Sequence, residues 1–539
     1  MKIDLEIIFF NDFKDIQSST KCHTANRAEN MANTAKNSES KIVTTTYGDM
    51  IKKAEIAPFL GLQSSDPFDI VSENDLLSMV HYRSDADEET FGHLRGVVVD
   101  RQTGITVASS YPWSTPTVAP YLALSDEYVG FGVFSIPEKH LRIKIGSEGT
   151  LIHVFKHAGQ VYRSTRKRLD PSKSHWGNSK TFGDMYWDLG GPKDEDLFDQ
   201  SKNYSPYCHS FIMVHPDVLV ATKESVGQGY MVYLGPRKMW NPENDCPYPQ
   251  DQVDSHLHLP ETVTRSDLAN EENTVRVICP EISDLESANK HLLFGYYEAF
   301  EGYENLDPRL LPGEFLILEN MNDGKVYRVE SPSYSWRTVM RNNDPNLLHR
   351  FYELVDWSYV KDELEFSKMF PVMIPYEREM IETCIPVVAW PHSEAEKLMM
   401  VPHDREGKLY NIWEAFLMSV PLHRQNEVIG YYEKFVDRRN ELSLWFLEQS
   451  QNLFQLTLSN FSRRAQDILT KTRSFAEKSV EQGKNIDRRT GQRQTVDQLT
   501  QRNIHNFLLK ERGASLYRLI REMDLAKNPP VVVKNIVQE

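Results

Sequence analysis

The residues whose types and spacing suit chemistry lie between 141 and 170. Gly146-Ser147-Glu148-Gly149 interrupts an alternating run in which Ile143, Ile145, Leu151, His153 and Phe155 fall on strand-spaced positions. Small residues there let backbone or a ligand approach closely. Beyond the turn His157-Ala158-Gly159-Gln160 comes a basic run, Arg163, Arg166, Lys167 and Arg168. A glycine loop facing a cationic strand is a cradle for phosphate. A plain hairpin with a solvated basic face fits the same pattern. The nearest amine is Lys144, two residues before Gly146, on the same strand face and ~6.6 Å back. Weaker candidates follow: Cys208-His209 reads as packing residues beside a strand. His256 and His258 are two apart without further ligands at metal spacing. Trp176 either stacks on a base or fills a core gap.

The elements that must position these groups are short strands. Residues 141–165 read as a β-hairpin, residues 95–118 as strands leading into it, and 218–234 as a second hairpin turning at Gly227-Gln228-Gly229. Thr181 is placed to cap a short helix that includes Met185. Residues 47–82 carry helical patterns with Leu60, Leu62, Phe68, Ile70, Leu76, Leu77 and Met79 as core candidates, and 240–272 reads as loop. Beyond Asn342 the pattern turns helical. Leu442, Phe446, Leu453, Phe454, Leu458, Phe461, Ala465 and Ile468 mark one face of a long helix, and Ile504, Phe507, Leu508, Leu516, Leu519 and Ile520 another.

The wording of several strands resembles the nucleotidyltransferase core of the phage-type ATP-dependent RNA ligases. In that family a strand ends in Lys-x-Asp-Gly followed by Ser/Thr-Leu-Ile/Val, and the string here is Gly146-Ser147-Glu148-Gly149-Thr150-Leu151-Ile152. Arg95-Gly96-Val97-Val98-Val99-Asp100 and Tyr111-Pro112-Trp113 resemble the upstream Arg-Gly strand and the Phe-Pro-Lys turn. The stretch from Phe211 through Val214 and Pro216 resembles Phe-Glu-x-Val-x-Pro, Pro312-Gly313-Glu314-Phe315 resembles Glu-Gly-x-Val, and 326–334 resembles the closing Lys-x-Lys-Ser strand. The likeness spans roughly residues 90–340 in order, with no motif intact.

The resemblance implies an α+β fold: a nucleotidyltransferase-like (ATP-grasp-type ligase) antiparallel-sheet domain over 47–340, then an all-helical C-terminal domain over 341–539. The departures fall on the reactive positions. The family's nucleophilic lysine is Gly146, its two glutamates are Ile212 and Pro312, and its closing lysines are Arg328 and Glu330. Adenylylation needs an amine of depressed pKa, cations on the triphosphate and carboxylates on a metal. The expected function is therefore that of a catalytically inactive scaffold or virion-associated protein, of the sort found where a large DNA virus reuses enzyme folds. Its partners would be proteins or virion components, with RNA or nucleotide as a further ligand. The alternative is an active RNA ligase or capping-type nucleotidyltransferase that uses ATP and Mg2+ and forms a lysyl-nucleotide on Lys144. The residues expected to hold a nucleotide are Arg95, Glu148, Gly149, Arg163, Arg166 and Arg328.

Composition frames these readings. The chain has 539 residues, a net charge of −16 and 11% aromatic residues, which supports real cores and argues against a general nucleic-acid coat. Against that background, residues 462–527 hold 15 Lys/Arg and 8 Asp/Glu, the segment best suited to an acidic partner. With the 176–185 loop, the tail at 442–527 is the expected interaction surface. Five scattered cysteines without a CxxC argue for a reducing, cytoplasmic setting. No apolar run is long enough to span a membrane. Residues 1–46 read as a disordered tail, with Met31 as an alternative start.

Overall fold

In the computed structural model the described residues run from 47 to 370, 405 to 451, 462 to 481 and 511 to 527, with 492–493, 503–504 and 508 besides. Within the first stretch, 84, 112–115, 120, 126, 178–179, 223–228, 245, 265–276, 283 and 293–313 fall outside. The tail expected at 1–46, the Pro112-Trp113 and Pro312-Gly313 matches, and the turn at 227–228 thus lie outside the described residues.

The fold is mixed α/β, with largely antiparallel sheets followed by a helical region. A four-stranded sheet runs β1 (Phe68–Glu73), β2 (Leu77–Tyr82), β3 (Val97–Asp100), β4 (Thr106–Ala108) in sequence order. Next come β5 (Thr117–Val118) and a three-stranded meander, β6 (Ala123–Ser125), β7 (Tyr128–Phe131) and β8 (Phe134–Pro137). The central pair is β9 (Leu141–Ile145) and β10 (Thr150–His157), with β11 (Gln160–Ser164) returning from β10. Then follow β12 (Tyr207–Val214), β13 (Tyr230–Lys238), β14 (Val263–Thr264), β15 (Val277–Cys279), β16 (Glu281–Ile282), β17 (Phe315–Asn320) and β18 (Val326–Glu330).

Two further sheets arise from these strands, a six-stranded one ordered β11-β10-β12-β13-β15-β14 and a five-stranded one ordered β16-β9-β17-β18-β5. The expected hairpin is thus half right. β10 and β11 pair through a tight turn in which Ala158 and Gly159 take φ of 49° and 78°, as a two-residue hairpin turn requires. β9 instead joins the five-stranded sheet beside β17, so residues 146–149 are a crossing between two sheets. Alternation alone does not say which sheet a strand enters.

Period-two alternation along β10 sorts the layers. Ile152 and Val154 face a cluster with Met185, Tyr186 and Leu189 of helix α1 (Phe182–Asp188), which Thr181 caps as expected. Phe155 faces Leu77, Met79 and Val98 of the four-stranded sheet. Ile212, Val232 and Leu234 pack with Phe315 and Ile317 of the five-stranded sheet. The far face of that sheet, through Ile143, Leu316 and Leu318, covers Val129, Phe131 and Ile136 of the meander and helix α2 (Leu285–Leu292).

Two sequence expectations are corrected. Residues 47–82 are one helix (Tyr47–Ile56) and a 3-10 turn (Ala57–Leu60), then β1 and β2, with Leu77 and Met79 packed in one cluster and Phe68 and Val80 in another. The hairpin expected at 218–234 has no first strand among the described residues. Pro216 starts a 3-10 turn to Val218, and β13 begins only at Tyr230.

The helical region packs round one core. Helices α3 (Pro332–Arg341), α4 (Leu347–Leu354), α5 (Arg405–Ser419), α6 (Tyr431–Gln451), α7 (Arg463–Glu481) and α8 (Gly513–Lys527) contribute, among others, Met340, Phe351, Phe416, Leu442, Ile468 and Leu519. The face expected from Leu442 to Ile468 is split between α6 and α7, and 452–461 lies outside the described residues. Ile504, Leu508, Leu516, Leu519 and Ile520 are buried, so that end of the tail is core rather than free surface. Gly513 sets the approach of α8 to α4: a Cβ there would stand 1.4 Å from the Tyr352 carbonyl oxygen. At the start of α3, Ser331 Oγ accepts from the Tyr334 N–H at 3.1 Å while fully buried. Ser331→Ala is expected to cost about 1 kcal/mol, read as a lowered urea midpoint at unchanged m-value.

Candidate functional site

Where β9 crosses to β10, the chain is held so tightly that no side chain fits at either glycine. The Gly146 N–H donates to the Phe315 carbonyl at 2.9 Å, and a Cβ on Gly146 would lie 2.1 Å from the Phe315 ring. A Cβ on Gly149 would lie 2.2 Å from the Met213 carbonyl oxygen. Beside them Ile212, Val232, Leu234, Phe315, Ile317 and Tyr334 form a buried apolar cluster between the two sheets. The space beside Gly146 is thus filled by the Phe315 ring, and that beside Gly149 by the Ile212 side chain and the Met213 carbonyl.

The charges nearby satisfy one another. Both the Ala221 and Thr222 N–H groups donate to the Glu148 carboxylate, at 2.8 and 2.7 Å. Thr222 Oγ1 donates to Glu314 at 3.0 Å, and Arg337 pairs with the same carboxylate at 3.4 Å while donating to the Ala221 carbonyl at 2.8 Å. Arg328 pairs with Glu330 at 2.8 Å and lies over the Phe315 ring at 4.2 Å. Burial pushes the Glu330 carboxyl upward, with Arg328 pulling the other way. Among the described residues, a recess beside the crossing is lined by Gly146, Ser147, Glu148, Val214, Thr222, Tyr230, His291 and Glu314.

Lys144 is buried and held at three points. Its ammonium donates to the Leu234 carbonyl and to Glu319 Oε1, both at 2.7 Å, and lies 3.4 Å from the Tyr111 hydroxyl. Tyr111 also donates to Glu319 Oε1. Burial lowers the Lys144 amine to about 8 and raises the Glu319 carboxyl to about 7. A lysine has three donors, and here each has its acceptor.

The six residues expected to hold a nucleotide separate into groups. Glu148, Gly149 and Arg328 do gather at the crossing, where Glu148 acts electrostatically on Arg328. Arg163 does not. It sits opposite Val154, ~13 Å along β10 from Thr150, pairs with Asp194 at 2.5 Å and lies 4.4 Å over the Trp187 ring. Arg166 stands at the tip of a turn closed by the Thr165 N–H to the Arg168 carbonyl at 2.9 Å, its backbone against Gly96. There burial, with Lys167, Arg166 and Arg95 nearby, shifts the His81 imidazole below its ordinary value, and the Tyr82 carbonyl pulls the other way. The cradle read from the sequence joined the glycine loop to Arg163, which stands beside Val154 of β10, and to Arg166 in a turn outside the sheets.

Other candidates resolve as packing. Trp176 is half-buried against the α1 cluster. Cys208 is fully buried, and burial pushes its thiol up to about 12, far from a reactive thiolate. His258 pairs with Asp254 at 3.2 Å. Sequence reasoning named Glu314 and Phe315 only within a family match and missed Arg337; the contacts Phe315 on Gly146, Glu314 on Thr222 and Arg337 on Ala221 each join residues more than 90 apart. It also missed the buried trio Asp100, His157 and Tyr248, in which the His157 ring and the Tyr248 hydroxyl meet Asp100 at 2.9 and 3.0 Å. Burial opposes ionisation there, but the His157 hydrogen bond and two backbone N–H groups hold the Asp100 carboxyl well below its ordinary value.

Comparison with known proteins adds little. The sequence matches no family profile and no curated relative. Among solved structures, an archaeal ATP-dependent RNA ligase matches at 12% identity and a TM-score of 0.26, over 68% of this chain and 80% of that one. A likeness of that size places no residue and assigns no chemistry. Among the described residues, no helix is long and apolar enough to cross a membrane.

Proposed function

We propose that this chain is a non-catalytic protein of ligase-like design that acts by association, as a scaffold or particle component. The observation that carries the reading is the Phe315 ring, which occupies the space any side chain at Gly146 would need. The internal pairing of Glu148, Glu314, Glu330, Arg328 and Arg337 supports it, because cations committed to carboxylates are not offered to a triphosphate. A protein reused from an enzyme would keep its sheets and helical core, as this one does, while its cleft closed.

A second reading, an ATP- and Mg2+-dependent ligase or capping-type enzyme, rests on Lys144. An amine lowered to about 8 has the reactivity a nucleophile needs. Its three acceptors and its burial count against it. Incubation with α-labelled ATP or GTP and Mg2+ or Mn2+, followed by denaturing electrophoresis, separates the two. The expected result is no labelled band. A covalent label that disappears in Lys144→Ala would replace the first reading with the second. For the association half, the protein purified from its source should sediment in a complex larger than the monomer; a monomer at physiological concentration and salt would remove that half.

A further inference from the structure

We propose that Asp344, His349 and Glu353 form a binding site for a first-row divalent cation, at the joint where α3 passes into α4. One ligand atom from each of the three lies within 4.8 Å of the others. His349 and Glu353 are one helical turn apart on α4 and therefore share a face. Asp344 comes from the preceding turn, and its carboxylate is already aimed: Oδ1 accepts from the Asn346 N–H at 2.8 Å, and Oδ2 lies 2.6 Å from His349 Nδ1. Asn346 in turn caps α4, accepting from the His349 N–H at 3.0 Å. The loop that carries one ligand is thereby tied to the helix that carries the other two.

The surroundings fit a cation that arrives from solvent. The side chains are 22%, 33% and 36% exposed for Asp344, His349 and Glu353, so an ion reaches them and keeps water in its remaining positions. At bond lengths of 2.0–2.2 Å a tetrahedral ion holds its donors ~3.3 Å apart. The present Asp344–His349 spacing therefore opens by less than ~1 Å and Glu353 swings inward. Behind the site the His349 ring meets the Tyr517 ring edge-on at 5.1 Å, and the Tyr517 hydroxyl accepts from Asn346 Nδ2 at 3.0 Å. Such outer contacts orient a ligand ring.

Arg350 is the competitor. It pairs with Glu353 at 2.9 Å, but it also donates to the Met340 and Val339 carbonyls at 2.8 Å each, so it stays anchored when Glu353 turns to an ion. Its charge weakens the site. One imidazole with two carboxylates favours Zn2+ or Mn2+ over Mg2+ and Ca2+, which prefer oxygen alone. A bound ion would cross-link the 342–346 turn to α4 and raise stability by mass action.

Isothermal titration and thermal shift of the EDTA-stripped full-length protein with Zn2+, and separately Mn2+, test this. The expected result is one equivalent of Zn2+ bound with a raised Tm. Affinity should fall tenfold or more in both Asp344→Asn and His349→Gln, and rise in Arg350→Gln as the competing charge is removed. Because the chain has 17 histidines, the differences between variants decide the matter. Zn2+ affinity that is unchanged in the first two variants, or absent in the wild type, overturns the proposal. So does weaker binding in a folded Arg350→Gln.

Discussion

A lysine placed at position 146 is expected to lower stability by about 3 kcal/mol and to take up no nucleotide. The Phe315 ring lies 2.1 Å from where the first side-chain carbon would be, and the Phe315 carbonyl is only 2.5 Å away. The ring is itself pinned: Arg328 covers it at 4.2 Å, and the Tyr334 ring packs on it with centroids 5.1 Å apart. A side chain at 146 must therefore push out a residue that is 2% exposed. Gly146→Ala should cost less than the lysine, since it brings one carbon and no charge. Gly146→Lys with Phe315→Ala should cost less than the two changes made singly would sum to, because the ring is one obstacle and the Phe315 carbonyl, which stays, is the other. Urea denaturation measures all three, and α-labelled ATP reads the chemistry. A Gly146→Lys protein as stable as the parent and covalently labelled would show that the cleft is open, contrary to the packing described above.

This packing also marks how far the sequence could be read. The β10–β11 hairpin was legible because its turn chemistry is local: Ala158 and Gly159 sit between two alternating strands. The helical stripes of the C-terminal region were legible for the same reason, and Leu516, Leu519 and Ile520 do face the core. The crossing at 146–149 was visible only as a glycine cluster. β9 and β10 alternate alike, and nothing in either says that their neighbours are β17 and β12. The error over Arg163 and Arg166 has the same origin. They are near the glycines in sequence, but Arg163 is held by Asp194 and Trp187, and Arg166 backs onto Gly96. The contacts that pack the crossing, Phe315 on Gly146 and Arg337 on Ala221, join residues more than 100 apart in sequence. Periodicity reports which face a residue occupies, but not what lies across from it.

The buried Lys144–Glu319 pair should behave as structure rather than as machinery. Removing one partner leaves the other without its counter-charge, so Lys144→Ala should cost about 3 kcal/mol, with the Leu234 carbonyl left without its donor. Replacing both, as Lys144→Met with Glu319→Leu, should recover part of that loss, because two apolar side chains of similar volume avoid burying charge, although the Leu234 carbonyl still lacks its donor. The pH dependence carries the same signature. Folded Glu319 holds its proton up to about 7, against 4.5 for the free group, so the stability it contributes is present below 4.5 and is lost as pH rises to 7. Lys144 runs the other way. Its folded form gives up the proton near 8, against 10.5 when free, so stability returns as pH climbs from 8 towards 10.5. Subtracting the double variant cancels the other titrating groups. Parent minus double variant should then pass through its minimum between pH 7 and 8, where both partners are charged. A flat difference across pH 5 to 10, or a double variant no better than Lys144→Ala, would mean that water reaches the pair. Lys144 would then be an exposed amine, open to the chemistry that its present contacts deny it.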